Sequence, residues 1–179
     1  MKVIPLTRGL FAKVDDADYE MLFNFGKWCA LVQGNKAYAV TSKAGKIIRM
    51  HRLLVQGRCI DHVDGDGLNN QRKNIRSATW QQNLANSIPR RSNKSGRKGV
   101  HWDRKNNKWR ASIGVNHKCL QLGRFSDLES ASKAYDYAAL RYFGDFAKTN
   151  AMMTAEKMSS PVDLFRLDSE NKSCQTPGV

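Results

Sequence analysis

Cysteine is scarce and poorly spaced for metal binding. The four thiols of this 179-residue chain are Cys29, Cys59, Cys119 and Cys174, with no Cys-x-x-Cys pair among them. Structural zinc sites draw their ligands from such close pairs, so zinc is not expected. Acidic residues are also few: 16 Asp and Glu face 30 Lys and Arg, for a formal charge of +14. That excess calls for a polyanionic partner, nucleic acid before membrane. Long apolar runs are absent, so no spanning helix and no membrane partner are expected. Met1-Lys2-Val3-Ile4-Pro5 lacks the apolar core of a signal peptide, which points to a cytoplasmic protein. A disulfide framework does not suit that reducing compartment, and Cys29 and Cys59 are read as packed thiols. The length allows one ordinary domain or two small ones.

What the chain does contain centres on Asp61-His62-Val63-Asp64-Gly65-Asp66-Gly67-Leu68-Asn69-Asn70. Gly and Asn tolerate positive φ, and Asp or Asn can bond nearby backbone, so this is a turn. Ile60 to Val63 reads as a short strand entering it, and Asn74 to Ala78 as a strand leaving it. Thr79-Trp80-Gln81-Gln82 has the form of a capping box, which predicts a helix with Thr79 as N-cap. The product is a strand–loop–strand–helix finger, with Asp61 and His62 on one arm and Asn83 in the helix.

Asp61 and the side-chain carbonyl of Asn83 offer hard oxygen ligands. Two such ligands, with waters and a phosphate oxygen, suit Mg²⁺ or the similar Mn²⁺. His62 is the natural general base, because imidazole titrates near neutrality. Carboxylate, base and neutral ligand around one cation form the inventory for phosphodiester hydrolysis. A calcium loop does not fit: His62 breaks the regular Asp spacing, and no Glu stands at the closing position.

The finger resembles the HNH nuclease finger, or ββα-metal finger, of phage and intron homing endonucleases. The resemblance rests on Asp61-His62, Asn69-Asn70, Asn74 and Asn83 in order. It implies that His62 activates water, that Asp61 and Asn83 hold the metal, and that Asn74 braces the loop presenting His62, which completes a catalytic pair of His62 and Asn74. It also implies products with a 3′-hydroxyl and a 5′-phosphate.

Upstream, the chain from Val3 to about Leu54 reads as β-rich with one short helix opened by Asp15-Asp16-Ala17-Asp18. Strands are expected at Lys27–Val32 and Lys36–Val40 around Gln33-Gly34-Asn35. A turn follows at Thr41–Gly45, and then a strand or strand-plus-helix over Lys46–Leu54. Trp28, Tyr38, Ile47 and Leu53 are the expected core. His51 is read as a packed histidine supporting the finger, in preference to a phosphate contact, because sites need convergent groups.

Downstream, Pro89 is expected to end the finger helix. The basic, Gly/Ser-containing run that follows includes Arg90, Arg91, Lys94, Arg97 and Lys98. It reads as a flexible linker lying along phosphates. From Gly99 a three-stranded sheet is expected, with Trp109–Val115 alternating cleanly in period two. A long helix should run from Asp127 to Phe143, capped by Ser126 or Asp127 and stopped by Gly144. The sheet face opposite the helix would carry Arg110 and Ser112, suited to reading bases in the major groove.

This second segment resembles the Apetala/ethylene-response-factor (ERF) DNA-binding domain. The likeness rests on Lys98-Gly99-Val100, Trp109 to Ile113, Leu122-Gly123-Arg124-Phe125, Ala134 to Ala139 and Phe143 to Asn150. It implies that Lys98, His101, Arg104, Lys108, Arg110, Ser112 and Gln121 face double-stranded DNA. His101, Gly114 and Gln121 stand where the family often has Arg or Trp, so no plant-type target sequence is carried over.

The resulting expectation is an α+β chain. An HNH nuclease domain would occupy 1–88, with its finger at about 58–88, then a basic linker 89–98, an ERF-like domain 99–150 and a flexible tail 151–179. The expected function is a site-specific homing endonuclease of phage type, acting in the host cytoplasm, with a monomer favoured. The alternative is a sequence-specific DNA-binding regulator with an inactive HNH scaffold.

Overall fold

The computed structural model describes residues 1–159 except Asn35 and Arg91. The expected phosphate contact Arg91, the Asn35 part of a turn, and all readings of 160–179 therefore lie outside the described residues. The fold is α+β, with small antiparallel sheets and one long helix.

Strands β1 (Lys2–Pro5) and β2 (Phe11–Val14) pair as a hairpin and lead into helix α1 (Asp16–Phe25). Strands β3 (Cys29–Gln33), β4 (Lys36–Lys43) and β5 (Lys46–Arg49) form a meander closed by the single-turn helix α2 (His51–Leu54). Thr41-Ser42-Lys43, expected in a turn, instead extends β4, and Ala44-Gly45 makes the turn with both φ angles positive. The core here is Ile4, Val14, Leu22, Trp28, Met50 and Ile60, with Leu53 packed against it. Ile47 does not belong to it: it is 66% exposed, on the solvent side of the edge strand β5.

The finger consists of β6 (Cys59–His62), β7 (Ile75–Ala78) and α3 (Trp80–Ala85). Thr79 and Gln82 close the expected capping box reciprocally. The helix stops earlier than Pro89 requires. Asn86 is its C-cap, with its N–H bonded to the Gln82 carbonyl, and its side chain turns back to the finger.

The second unit has β8 (Val100–Asp103), β9 (Lys108–Val115) and β10 (Lys118–Phe125), in the order β10-β9-β8, under helix α4 (Leu128–Phe143). Asp127 caps α4 by accepting from Ser130 N, and Gly144 ends it at φ 52°. Val100, Ala111, Ile113, Ala131, Tyr135 and Ala138 form a separate core. The flexible tail expected from 151 is corrected at its start, because helix α5 spans Asn150–Ser159. The Asp136 carboxylate on α4 accepts from Asn150 N, Asn150 Nδ2 and Ala151 N, capping α5 from a neighbouring helix. A cap supplied across the fold leaves no local sequence mark.

Gly99 has φ +71°, and an added Cβ would stand 2.0 Å from the Tyr135 ring and 2.7 Å from the Ser112 carbonyl oxygen. Gly96 has φ +65° but nothing within 4 Å. Gly96→Ala should cost about 1–2 kcal/mol of left-handed strain, and Gly99→Ala about 1–3 kcal/mol more through overpacking. Urea denaturation measures both, and equal midpoints would contradict the difference. His51 is buried, with its imidazole held down at about 3 from 6.5 by burial first and then by the neighbouring His62 and the Arg49 charge. The unfolded chain therefore takes up that proton near 6.5 and the folded one near 3. Stability is full above pH 6.5 and falls as pH drops through the window, by up to about 1.4 kcal/mol per unit. His51→Gln should flatten the slope between pH 7 and 5 in urea titrations, and an unchanged slope would contradict the assignment.

Candidate active site

The loop between β6 and β7 is fixed by its own amides. Asn74 Oδ1 accepts from Asp64 N at 3.1 Å, while Nδ2 donates to Asp64 Oδ1 at 2.9 Å and to the Asn69 carbonyl at 2.8 Å. Asn69 Nδ2 completes the knot on Asp64 Oδ2 at 2.7 Å. Burial pushes the Asp64 carboxyl up, but hydrogen bonds from Asn69, the Asp66 N–H and Asn74 outweigh it and hold it below its usual value. Asn74 thus bonds within the loop, to Asp64 and Asn69, and its carbonyl accepts from Val63 N beside His62.

The loop is also clamped from outside. Lys13 N donates to the Leu68 carbonyl at 2.9 Å, and Asn70 N to the Lys13 carbonyl at 2.8 Å. Asp15 accepts from Arg72 N and Gln71 Nε2, and Arg72 reaches Asp18 with both Nε and Nη2 at 2.8 and 2.7 Å. The acidic start of α1 therefore serves as an anchor for the finger loop, beyond its place at a helix N-terminus.

Asp61 is 3% exposed. Its Oδ2 accepts from Arg76 Nε and Nη2 at 3.0 and 2.9 Å, and its Oδ1 from Asn86 Nδ2 at 2.9 Å. Asn86 Nδ2 also reaches the His62 carbonyl at 2.8 Å, tying the end of α3 to the end of β6. Neither Arg76 nor Asn86 belongs to the site residues the sequence pattern points to. A clue existed: a charged residue at the strand position opposite a carboxylate, and an Asn one turn beyond Asn83.

His62 is buried, and its Nε2 has no hydrogen-bond partner among the described residues. Burial lowers its affinity for a proton, and this outweighs the opposing pull of Asn70 and the Asp64, Asp61 and Asp66 carboxylates. The neutral ring that results is the form a general base needs. His51 packs edge-on against it, 5.0 Å between ring centroids, and Tyr38 lies 6.1 Å from each ring. His51 is therefore a packed support for His62, as its sequence context suggests.

Asp61, His62, Asn83 and Asn86 line one cavity of about 40 Å³, with Tyr38, Lys36, Ile60 and Gly65. No group of three or more His, Cys, Asp or Glu that could hold a metal ion is assembled among the described residues. The donor set nonetheless fits a hard divalent cation. A carboxylate offers about four acceptor positions, and among the described residues Asp61 Oδ1 accepts only from Asn86. One carboxylate and one amide carbonyl suit an ion that completes its shell with water and substrate phosphate.

On the C-terminal sheet, the face away from α4 carries three registered rows. His101 pairs with Arg110, and Arg110 with Arg124; Ser112 pairs with Gln121; Gly114 pairs with Cys119. His101, Lys108 and Gln121 are exposed, with Arg104 on the β8–β9 turn. Arg124 was not among the expected contacts. Simple alternation from Gln121 would put it on the helix side, but a bulge between Gln121 and Gly123 reverses the parity. Asp103 accepts from Arg124 Nε at 2.9 Å, and this pairing, with Asn106, lowers the Asp103 carboxyl to about 2.

The linker divides. Arg90 and Lys94 are exposed. Arg97 and Lys98 turn inward and do not join the outer face of the sheet. Arg97 Nη1 donates to Thr154 Oγ1 at 2.5 Å, and Nη2 lies 3.9 Å from Glu129. Lys98 Nζ donates to the carbonyls of Leu84, Ala85 and Ser87 at the C-terminal end of α3. Carbonyls left unpaired at a helix end attract such a cation, which the basic composition of the run conceals.

No family model and no solved structure matches the chain, but curated proteins do. Over 152 residues it is 32% identical to an uncharacterized HNH endonuclease of Acanthamoeba polyphaga mimivirus, covering 80% of this chain and 76% of that protein. Over 65 residues it is 36% identical to Protein 3.8 of Escherichia phage T7, covering 36% of this chain and 54% of that protein. Over 55 residues it is 46% identical to a putative AP2/ERF and B3 domain-containing protein of Oryza sativa subsp. japonica, covering 31% of this chain and 17% of that protein. With a relative matched over most of both chains and a β-loop-β-α finger gathering Asp61, His62 and Asn83, the chain belongs to the HNH endonuclease family.

Proposed function

We propose that the protein is a site-specific endonuclease of homing type, acting on double-stranded DNA and carried by a phage or related mobile element. The observation that carries this reading is the cavity shared by Asp61, His62 and Asn83 in a member of the HNH endonuclease family. The unit up to about residue 88 would cut, and the sheet-and-helix unit from about 99 would grip the site. The charge of +14 supports a polyanionic substrate. Among the described residues no helix is long and apolar enough to cross a membrane.

Asp61 and Asn83 would hold a divalent cation of the Mg²⁺ or Mn²⁺ class, which when bound stabilises charge developing on the phosphate. His62, kept neutral by burial, takes a proton from water as the water oxygen bonds to phosphorus. The bond from phosphorus to the 3′-oxygen breaks, and that oxygen gains a proton from solvent, leaving a 3′-hydroxyl and a 5′-phosphate. Asn74 acts through the loop it knots, and Asn86 by fixing Asp61 to the His62 main chain.

Incubation of plasmid carrying DNA from around the gene's own locus, with Mg²⁺, with EDTA and with His62→Ala, tests the reaction. Cleavage should require both cation and His62, and the variant should lose at least about 100-fold, the usual yield of general-base catalysis. Tight DNA binding with no cleavage under any divalent cation would favour a regulator with an inactive finger.

The sheet face makes its own prediction. Arg110→Ala or Arg124→Ala should weaken specific binding by about 1–3 kcal/mol if the residue reads a base. An equal loss on random duplex, with a shallower salt dependence, would mark it as a phosphate contact instead.

A further inference from the structure

Arg76 does more than neutralise Asp61. While Nε and Nη2 hold Asp61 Oδ2, Nη1 donates to the Asp145 carbonyl at 3.1 Å. The guanidinium carbon also lies 3.8 Å from the centroid of the Phe146 ring. Asp145 and Phe146 belong to the 3-10 turn Gly144–Phe146, which follows α4 in the C-terminal unit. One planar group thus has an edge on a candidate cation ligand, and a donor and a face on the other unit. A guanidinium is rigid, so it cannot follow one partner without disturbing the other. The helix bearing Asn83 is held from the same side. Lys98 Nζ reaches the carbonyls of Leu84 and Ser87 at 3.2 and 2.7 Å, and Lys148 N reaches that of Ala85 at 3.2 Å.

We propose that the C-terminal unit is a structural part of the nuclease site. Through Arg76, seated on Phe146 and the Asp145 carbonyl, it sets the position of Asp61, which makes Arg76 a positioning residue for the cation. This rests on the nuclease reading above and adds to it: the finger is assembled for cutting only with the two units docked. Gripping and cutting are then rigidly coupled, and cleavage falls at a fixed offset from the gripped sequence.

The test titrates the full-length protein with Mn²⁺, following free Mn²⁺ by electron paramagnetic resonance, with duplex affinity measured in parallel. Asp61→Ala should abolish the site. Arg76→Lys and Phe146→Leu should each weaken it about tenfold, the lower end for groups that orient a metal ligand. The double variant should be no weaker than Arg76→Lys alone, because both changes cut the same strut. Phe146→Tyr, which keeps the aromatic face, should bind Mn²⁺ like the parent, and duplex affinity should stay within about twofold throughout, as residues off the contacted face imply. Unchanged Mn²⁺ affinity in Arg76→Lys and Phe146→Leu, with Asp61→Ala inactive in binding, would overturn the strut and leave the nuclease reading standing. Weakening in Arg76→Lys alone would confine Arg76 to the finger and overturn the part given to the C-terminal unit. Mn²⁺ binding that survives Asp61→Ala would remove the nuclease site itself, and this proposal with it.

Discussion

A carboxylate as buried as Asp61 is costly to hold in a protein interior unless something pairs with it. Arg76 provides the pairing from the register position directly opposite on β7, and Asn86 adds a second contact from the end of α3. Much of the finger's geometry answers that one requirement. The strands must pair in this register, and α3 must start at Thr79 and stop at Asn86, for both partners to converge. They use three of the acceptor positions on Asp61 and leave Oδ1 able to face the cavity shared with His62 and Asn83. The Coulombic partner of the buried charge and the chemistry of the site are therefore linked.

The β-rich N-terminal unit has a role in this arrangement that its lack of chemistry hides. Lys13, Asp15 and Asp18 bind the finger loop through main chain and carboxylates, and α2 delivers His51 to the back of the His62 ring. A loop rich in Gly and Asp loses much conformational freedom when it is ordered. Two sets of bonds offset that loss: the internal amide knot on Asp64 and the outside clamp from β2 and α1. The loop is rigid because it is bonded from both sides, and His62 is presented at a fixed place as a result.

Local chemistry was legible in the sequence, and cross-fold chemistry was not. The capping box at Thr79, the Asp127 cap, the alternation of β9 and the loop around Asp64 all depend on residues close in the chain, and each is present as expected. The misses share a long-range cause. Helix α5 is capped by Asp136 from another helix, Arg124 changes face at a bulge, and Lys98 leaves the basic run to cap α3. Ile47 has an apolar side chain but lies on an edge strand that no described element covers. At the site, Asp61, His62, Asn74 and Asn83 stand out as types in an ordered pattern. Arg76 and Asn86 were hidden because their partner is reached only after the strands pair and the helix turns back.

The proposed reaction requires that Asp61, Asn83 and a DNA phosphate meet at one divalent cation beside His62. A crystal structure of the protein with uncleaved duplex and Mn²⁺, using anomalous scattering to locate the metal, tests it most directly. A single manganese peak bonded to Asp61 and Asn83 is expected, with His62 facing a water in line with the scissile phosphate. Manganese bound away from Asp61, or duplex seated on the C-terminal sheet with the finger cavity turned from every phosphate, would contradict it.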